Sequence, residues 1–227
     1  MYTKIKRALD VVGAIGLLLL TAPLTVLIAI AVRVRMGRPV LFRQRRPGLN
    51  EVSFTCLKFR TMTDARDACG RPLPDNDRLT RLGRLLRRTS LDELPQLWNI
   101  LVGDLSFIGP RPLLESYLPY YSDTERRRHS VRPGLTGWAQ IHGRNCLEFN
   151  ERLAMDVWYV DHASLWLDAQ ILLGTVWVTI TGEGVAADQE VLPLDVQRAW
   201  RRPEYERTGA PSEGNDGTER KLSAGYN

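Results

Sequence analysis

The sequence predicts an α+β, mainly helical protein with an N-terminal re-entrant membrane helix, a β-hairpin and interfacial amphipathic helices. Three observations carry this reading. An uncharged apolar run of 22 residues, 11–32, lies near the start of the 227-residue chain. Two stretches that alternate apolar and polar residues flank RRPGLN, a segment with turn chemistry. Beyond them, helical patterns alternate with stretches stiffened by Pro and Gly. Hydrophobic residues make up 44% and charged residues 25% of the chain, which excludes a disordered protein, a collagen-like fibre and a polytopic transporter.

The apolar run, as a straight helix, is about 33 Å long, enough to span a hydrocarbon core. It is too long for a secretory signal, and no small-residue cleavage site follows it. Both flanks are basic: Lys4, Lys6 and Arg7 precede it, and Arg33, Arg35, Arg38, Arg43, Arg45 and Arg46 follow. The positive-inside rule places both flanks on the cytoplasmic side. Pro23 sits near the middle, where it removes a backbone hydrogen bond and crowds the preceding turn. A helix that enters, bends at Ala22-Pro23 and leaves on the same side accounts for both features better than a spanning one. Thr21 and Thr25 are placed to satisfy backbone groups freed at the bend.

Residues 39–59 read as the hairpin, from PVLFRQ and VSFTCLKF. Residues 64–77 are polar, with Gly and two Pro, and read as a loop. Residues 78–88 read as a basic amphipathic helix with Arg78, Arg81, Arg84 and Arg88 on one side, either a solvated face or one lying on anionic lipid. Residues 91–102 read as a helix, 103–112 as a stiff loop, 113–130 as helical, 131–144 as loop and turns, and 147–162 as a helix. Residues 165–181 are apolar around Asp168 and Gln170, an interfacial or core helix rather than a second crossing. The domains expected are the membrane helix at 1–36, a globular domain at 37–200 and a disordered tail at 201–227.

The formal net charge of +5 is concentrated at the start: residues 1–50 hold nine Lys/Arg against Asp10 alone. With the basic residues gathered around an apolar run, no nucleic-acid partner is expected. Three cysteines and three histidines are scattered without metal-ligand spacing. Chemistry concentrates in the run from Arg88 to Leu101, where Asp92 and Glu93 are adjacent carboxylates. One reading makes Ser90-x-x-Glu93 a capping box, with both acids favouring a helix N-terminus. The other gives them different tasks, since neighbouring helical side chains point about 100° apart. Lys58, Arg60, Arg88, Arg111, Arg132 and Arg144 lie in turns or at element ends, Arg111 between Pro110 and Pro112 and Arg132 before Pro133-Gly134. Prolines that fix the backbone aim such arginines. Aimed guanidiniums with a few carboxylates suit a polyanion and a divalent metal, such as a pyrophosphate. No P-loop or Rossmann fingerprint is present.

An ordered series of motifs sharpens this: Lys6-Arg-x-x-Asp10 before the Pro-broken run; Gly37-x-Pro-Val-x-Phe-x-Gln44; Lys58-Phe-Arg-Thr-Met62; Arg88-x-Ser-Leu-Asp-Glu-Leu-Pro-Gln96; Gly103-Asp-Leu-Ser-x-Ile-Gly-Pro-Arg-Pro112; Arg132-Pro-Gly-Leu-Thr-Gly-Trp-Ala-Gln140; and Asp156-x-x-Tyr-Val160. In these the chain resembles the monotopic polyprenyl-phosphate phosphoglycosyl transferases, the bacterial sugar transferase family, in its small minimal form. The resemblance runs from about Lys6 to Asp188.

It implies an enzyme that transfers a sugar-1-phosphate from a UDP-sugar to undecaprenyl phosphate with Mg2+, starting bacterial glycoconjugate synthesis. By position Asp92 would be the nucleophile, forming an aspartyl phosphosugar and releasing UMP. Asp92 and Glu93 would be the catalytic pair and the metal ligands. Lys58, Arg111, Arg132 and Arg144 are the matching cations, and with Arg60, Arg88 and Asp156 they form the expected substrate- and phosphate-binding set. The family also implies a re-entrant helix with its break at Ala22-Pro23, where many members have Ser-Pro. The catalytic domain and interfacial helices would then lie on the cytoplasmic face of the bacterial inner membrane. The segment Gly143-Arg-Asn-Cys-Leu-Glu-Phe149 resembles members that use N-acetylated amino sugars. A membrane-associated phosphohydrolase would use the same acids and arginines with water as acceptor.

Overall fold

The structure, a computed structural model, describes residues 1–143, 148–181 and 194–198. Helix α1, Tyr2–Met36, runs for 35 residues, about 52 Å. Helical structure continues through Pro23, where the sequence reading placed a break. One proline deletes a single backbone bond, and the ladder resumes beyond it. The Thr21 hydroxyl donates to the Leu17 carbonyl at 2.7 Å, a back-bond of the kind that accompanies helix bending.

The two halves of α1 pack on the same body. In the first half Tyr2 and Lys6 donate to Asp168 at 2.9 and 2.7 Å. Arg7 donates to the Ile100 and Leu101 carbonyls at 2.6 and 2.8 Å. Buried Asp10 accepts from the Ser106 hydroxyl and the Phe107 amide, each at 3.1 Å. Ala14 joins a core with Phe54, Cys56, Leu97, Ile100 and Leu105. In the second half Ile28 and Val32 pack with Phe59 and Leu86. Between these contacts Leu19 and Leu20 are 73% and 75% exposed, the reverse of a water-soluble helix.

Gly37, at φ 75°, ends α1. Strands β1, Leu41–Pro47, and β2, Ser53–Phe59, pair antiparallel from Leu41↔Phe59 to Pro47↔Ser53, as the alternation predicts. Alternation places Phe54, Cys56 and Lys58 on one face of β2. The 64–77 segment is mostly loop, and its end turns into a short helix α2, Asp75–Arg78. Helix α3, Arg81–Arg88, therefore starts later than expected. Thr80 caps it, accepting from the Gly83 amide at 2.9 Å. Arg78 lies outside α3 and donates back to the Thr63 carbonyl. Gly83 packs on the Thr61 backbone so closely that any Cβ would collide with it.

The single helix expected over 91–102 is two pieces: a 3-10 turn, Leu91–Glu93, and helix α4, Gln96–Val102, divided by Pro95. The stiff loop after it contains strand β3, Ser106–Ile108, which pairs in parallel with β4, Gly134–Thr136. Three-residue strands are too short to show a sequence period. A Cβ on Gly109 or Gly134 would meet the opposite backbone, so the pairing requires both glycines. Residues 113–130 form a 3-10 segment at Glu115–Tyr120 around Pro119, then α5, Asp123–Arg126, and a 3-10 turn at Arg127–Ser130. Short α6, Trp138–Ile141, leads to α7, Phe149–His162, and α8, Leu165–Thr181. Leu167, Ile171 and Val178 of α8 are buried, while Trp166, Leu173 and Trp177 are 73%, 72% and 63% exposed. A last helical turn, Leu194–Gln197, puts Leu194 against Tyr117 and Phe149. The expected tail at 201–227 lies outside the described residues.

Candidate active site

Asp92 and Glu93 sit on the 3-10 turn between α3 and α4. Ser90 before them is left-handed, at φ 55°, and its side chain caps nothing. The capping-box reading therefore does not describe this turn. Glu93 instead uses its carboxylate across the fold: Oε1 accepts from Lys58 Nζ at 2.6 Å and from Arg111 Nη2 at 2.7 Å. Lys58 comes from β2, and Arg111 follows β3 between its two prolines. Hairpin, turn and parallel pair thus converge on one carboxylate.

The neighbours have opposite electrostatics. Burial opposes ionisation of Glu93, yet Arg111 and Lys58 outweigh it and hold the carboxyl down at about 2. Asp92 is 7% exposed and makes no ion pair among the described residues. Burial pushes its carboxyl above the usual range, and the adjacent Glu93 charge adds to the shift, with Lys58 and Arg87 opposing. Charge-assisted hydrogen bonds thus fix Glu93 in place. Asp92 keeps a poorly solvated carboxylate with no ion pair among the described residues, an arrangement suited to a nucleophile. Cys56 beneath the site is no rival, since burial pushes its thiol up.

The other expected residues are spread more widely. Arg88 is exposed on the last turn of α3, just before the carboxylates. Arg60 is buried and occupied: it donates to the Met62, Arg38 and Met36 carbonyls and to Asp64, clamping the end of α1 to the hairpin. Arg132 Nε donates to the Gly103 carbonyl at 2.9 Å, at the end of α4 beside Arg7. Asp156 is 2% exposed and faces Arg128 instead of Glu93. Of the expected phosphate-binding set, Arg60, Arg132 and Asp156 thus have protein partners other than Glu93. Arg144 lies outside the described residues. Two arginines close to the site escaped the sequence reading. Arg46 donates to Gln44 Oε1 at 2.6 Å and to the Pro112 carbonyl at 3.3 Å. Arg128 is buried behind Arg111. Arg46 belongs to a basic turn and Arg128 to the run Arg126-Arg127-Arg128, and such runs read as solvated.

Residues 1–182, which include every group that meets at Glu93, match the family model described as Bacterial sugar transferase. The chain belongs to the bacterial sugar transferase family. This sugar transferase is 51% identical over 187 residues to the uncharacterized sugar transferase EpsL of Bacillus subtilis, covering 82% of this chain and 93% of the relative. It is 45% identical over 181 residues to the UDP-glucose:undecaprenyl-phosphate glucose-1-phosphate transferase of Caulobacter vibrioides, covering 75% and 68% of the two chains. It is 36% identical over 197 residues to the undecaprenyl-phosphate galactose phosphotransferase of Salmonella typhimurium, covering 79% of this chain and 41% of that longer one. The expected kinship with the polyprenyl-phosphate phosphoglycosyl transferases is thereby borne out, and the protein is an enzyme.

Proposed function

We propose that this sugar transferase moves a sugar-1-phosphate from a UDP-sugar to undecaprenyl phosphate through a covalent intermediate on Asp92. The Asp92 carboxylate attacks the sugar-bearing phosphorus, and the bond to the uridine-side phosphate breaks to release UMP. A phosphate oxygen of undecaprenyl phosphate then attacks the resulting acyl phosphate. The sugar-phosphate passes to the lipid and the carboxylate is restored. The observation that carries this reading is a buried Asp92 with no ion pair among the described residues beside a Glu93 fixed by Lys58 and Arg111. Lys58 and Arg111 reach the site by different routes and are placed to hold charge that gathers on the donor phosphates.

The carboxylates suit magnesium, which takes one or two protein carboxylates together with substrate phosphates. Lys58 and Arg111 both meet Oε1 of Glu93, and Asp92 completes a two-carboxylate set. No group of three possible metal ligands occurs among the described residues, which fits a metal shared with substrate better than a closed protein cage. Bound there, magnesium would neutralise diphosphate charge. The donor sugar expected from 143–149 is an N-acetylated amino sugar, whereas the names of two relatives carry glucose and galactose.

The reaction is tested by UMP release from the purified full chain with magnesium, a panel of UDP-sugars including these three classes, and undecaprenyl phosphate added or omitted. Sustained release that requires the lipid is the expected result. Steady release without lipid would replace the transferase reading with a phosphohydrolase.

The same proposal places α1 in the cytoplasmic leaflet as a re-entrant helix, with the catalytic domain on the cytoplasmic face. Its support is the packing of both halves on one body. Ala14 and Ile28 lie about 21 Å apart along a straight helix, less than the roughly 30 Å of a hydrocarbon core. The exposed apolar faces of α4 (Trp98, Val102) and α8 (Trp166, Leu173, Trp177) suit the interface beside it. The topology is tested with cysteines at Thr3→Cys or Arg35→Cys after Cys56, Cys69 and Cys146 are changed to serine. An impermeant maleimide should label neither position in intact spheroplasts and both after lysis. Labelling of one from outside would make α1 a spanning helix.

A further inference from the structure

Arg128 and Asp156 form the most deeply buried ion pair among the described residues, with side chains 1% and 2% exposed. A buried ion pair is weak support for stability, because desolvation offsets the attraction and apolar residues fill such space as well. The hydrogen bonds show what this pair holds. Asp156 Oδ2 accepts from Arg128 Nε at 3.1 Å and Nη2 at 2.7 Å. The same Nη2 donates at 2.6 Å to the backbone carbonyl of Arg111, and Nη1 lies 3.4 Å from the Tyr121 hydroxyl. One residue on, the Pro112 carbonyl accepts from Arg46 at 3.3 Å. The main chain at Arg111 is therefore gripped at two successive carbonyls and flanked by two prolines. Its side chain leaves this fixed point to reach Glu93 at 2.7 Å.

We infer that Arg128 is a positioning residue, anchored on Asp156, that holds the Arg111 backbone so that the Arg111 guanidinium stays on Glu93 and turnover is supported. This rests on the reading of Asp92 and Glu93 as the reaction centre. Asp156 acts with Arg128 as anchor and touches no substrate. The planar fork of arginine is essential, since one guanidinium serves a carboxylate on one side and a carbonyl on the other.

The test compares Arg128→Lys, Asp156→Asn and Arg111→Lys with the wild-type full chain in the UMP-release assay. A control, Glu125→Gln, breaks the Arg198 pair, which lies outside the site. Each variant is assayed below its own melting temperature. Arg128→Lys and Asp156→Asn should lower kcat roughly 10- to 100-fold, the scale of a small misplacement of a catalytic group. The donor KM should stay within about twofold, as expected when transition-state support alone is lost. Glu125→Gln should lower the melting temperature and spare kcat. Because Arg128 acts through Arg111, the Arg128→Lys/Arg111→Lys double variant should be no slower than Arg111→Lys alone. Wild-type kcat in both Arg128→Lys and Asp156→Asn, or losses that add fully to that of Arg111→Lys, would overturn the inference. If Arg128→Lys fails to fold, Asp156→Asn decides. If Arg111→Lys itself turns over normally, the fault lies in the reading of the Glu93 site.

Discussion

Asp92→Asn should cut lipid-dependent turnover by at least about four orders of magnitude, the scale seen when a covalent nucleophile is removed. The same substitution should raise the melting temperature at neutral pH. Burial, and then the Glu93 charge, push the Asp92 carboxyl above its ordinary 3.8. A raised value favours the folded state only where the group is protonated. That contribution is complete below the unfolded value and is lost as pH rises through the folded one. At neutral pH Asp92 is ionised against its surroundings and strains the fold, and an asparagine of the same shape removes the strain. Thermal unfolding of the two proteins from pH 7 downward checks this, with the advantage of Asp92→Asn shrinking as the pH falls. Retained turnover would end the role of Asp92 as nucleophile. A lowered melting temperature would mean that its carboxylate is better solvated than its surroundings indicate.

Glu93→Gln should do the opposite to stability. The Glu93 carboxyl is held at about 2 against an ordinary 4.5, a difference corresponding to about 3 kcal/mol of folding free energy. The shift is downward, so this contribution is present above pH 4.5 and is lost as pH falls from there toward 2. A neutral amide leaves Lys58 and Arg111 facing each other without their shared anion, so turnover should also collapse. Denaturant unfolding at pH 7 should show the variant less stable by about 3 kcal/mol, with the gap closing in acid. Equal stability at pH 7 would show that Lys58 and Arg111 are not held on Glu93 in solution. Two adjacent acids, one stabilising its turn and the other straining it, are what a site needs when one group must stay put and the other must react.

Much of this was legible in the sequence, for local reasons. The hairpin follows from alternation over residues 39–59, and the direction of Arg111 from its two prolines. Lys58, Glu93 and Arg111 do meet. Arg60 directly follows β2 and Arg132 precedes Pro133-Gly134, yet their guanidiniums reach main-chain carbonyls at the ends of α1 and α4. Those acceptors are distant in sequence, and a carbonyl leaves no mark in a residue pattern. Ser90 and Glu93 have the spacing of a capping box, but cations 35 and 18 residues away claim the glutamate. Arg128 is hidden for another reason: it lies in a run of three arginines, and only the packing of Asp156 against it shows which of them turns inward. The β3–β4 pair is three residues on each side, shorter than any periodicity can reveal.

The way α1 shares its side chains with the globular body bears on how an enzyme meets a lipid. Ala14 shares a core with β2 and α4, and Ile28 one with β2 and α3, so side-chain packing joins α1 directly to the scaffold. If α1 lies in the cytoplasmic leaflet as proposed, the height of Asp92 relative to the headgroups is set by side-chain packing, as the height of a shelf is set by its bracket. Under the proposed reaction the long-chain acceptor is confined to a plane and carries its phosphate at one level. With both partners fixed in height, their encounter becomes a search in two dimensions, and only the nucleotide donor arrives from solution.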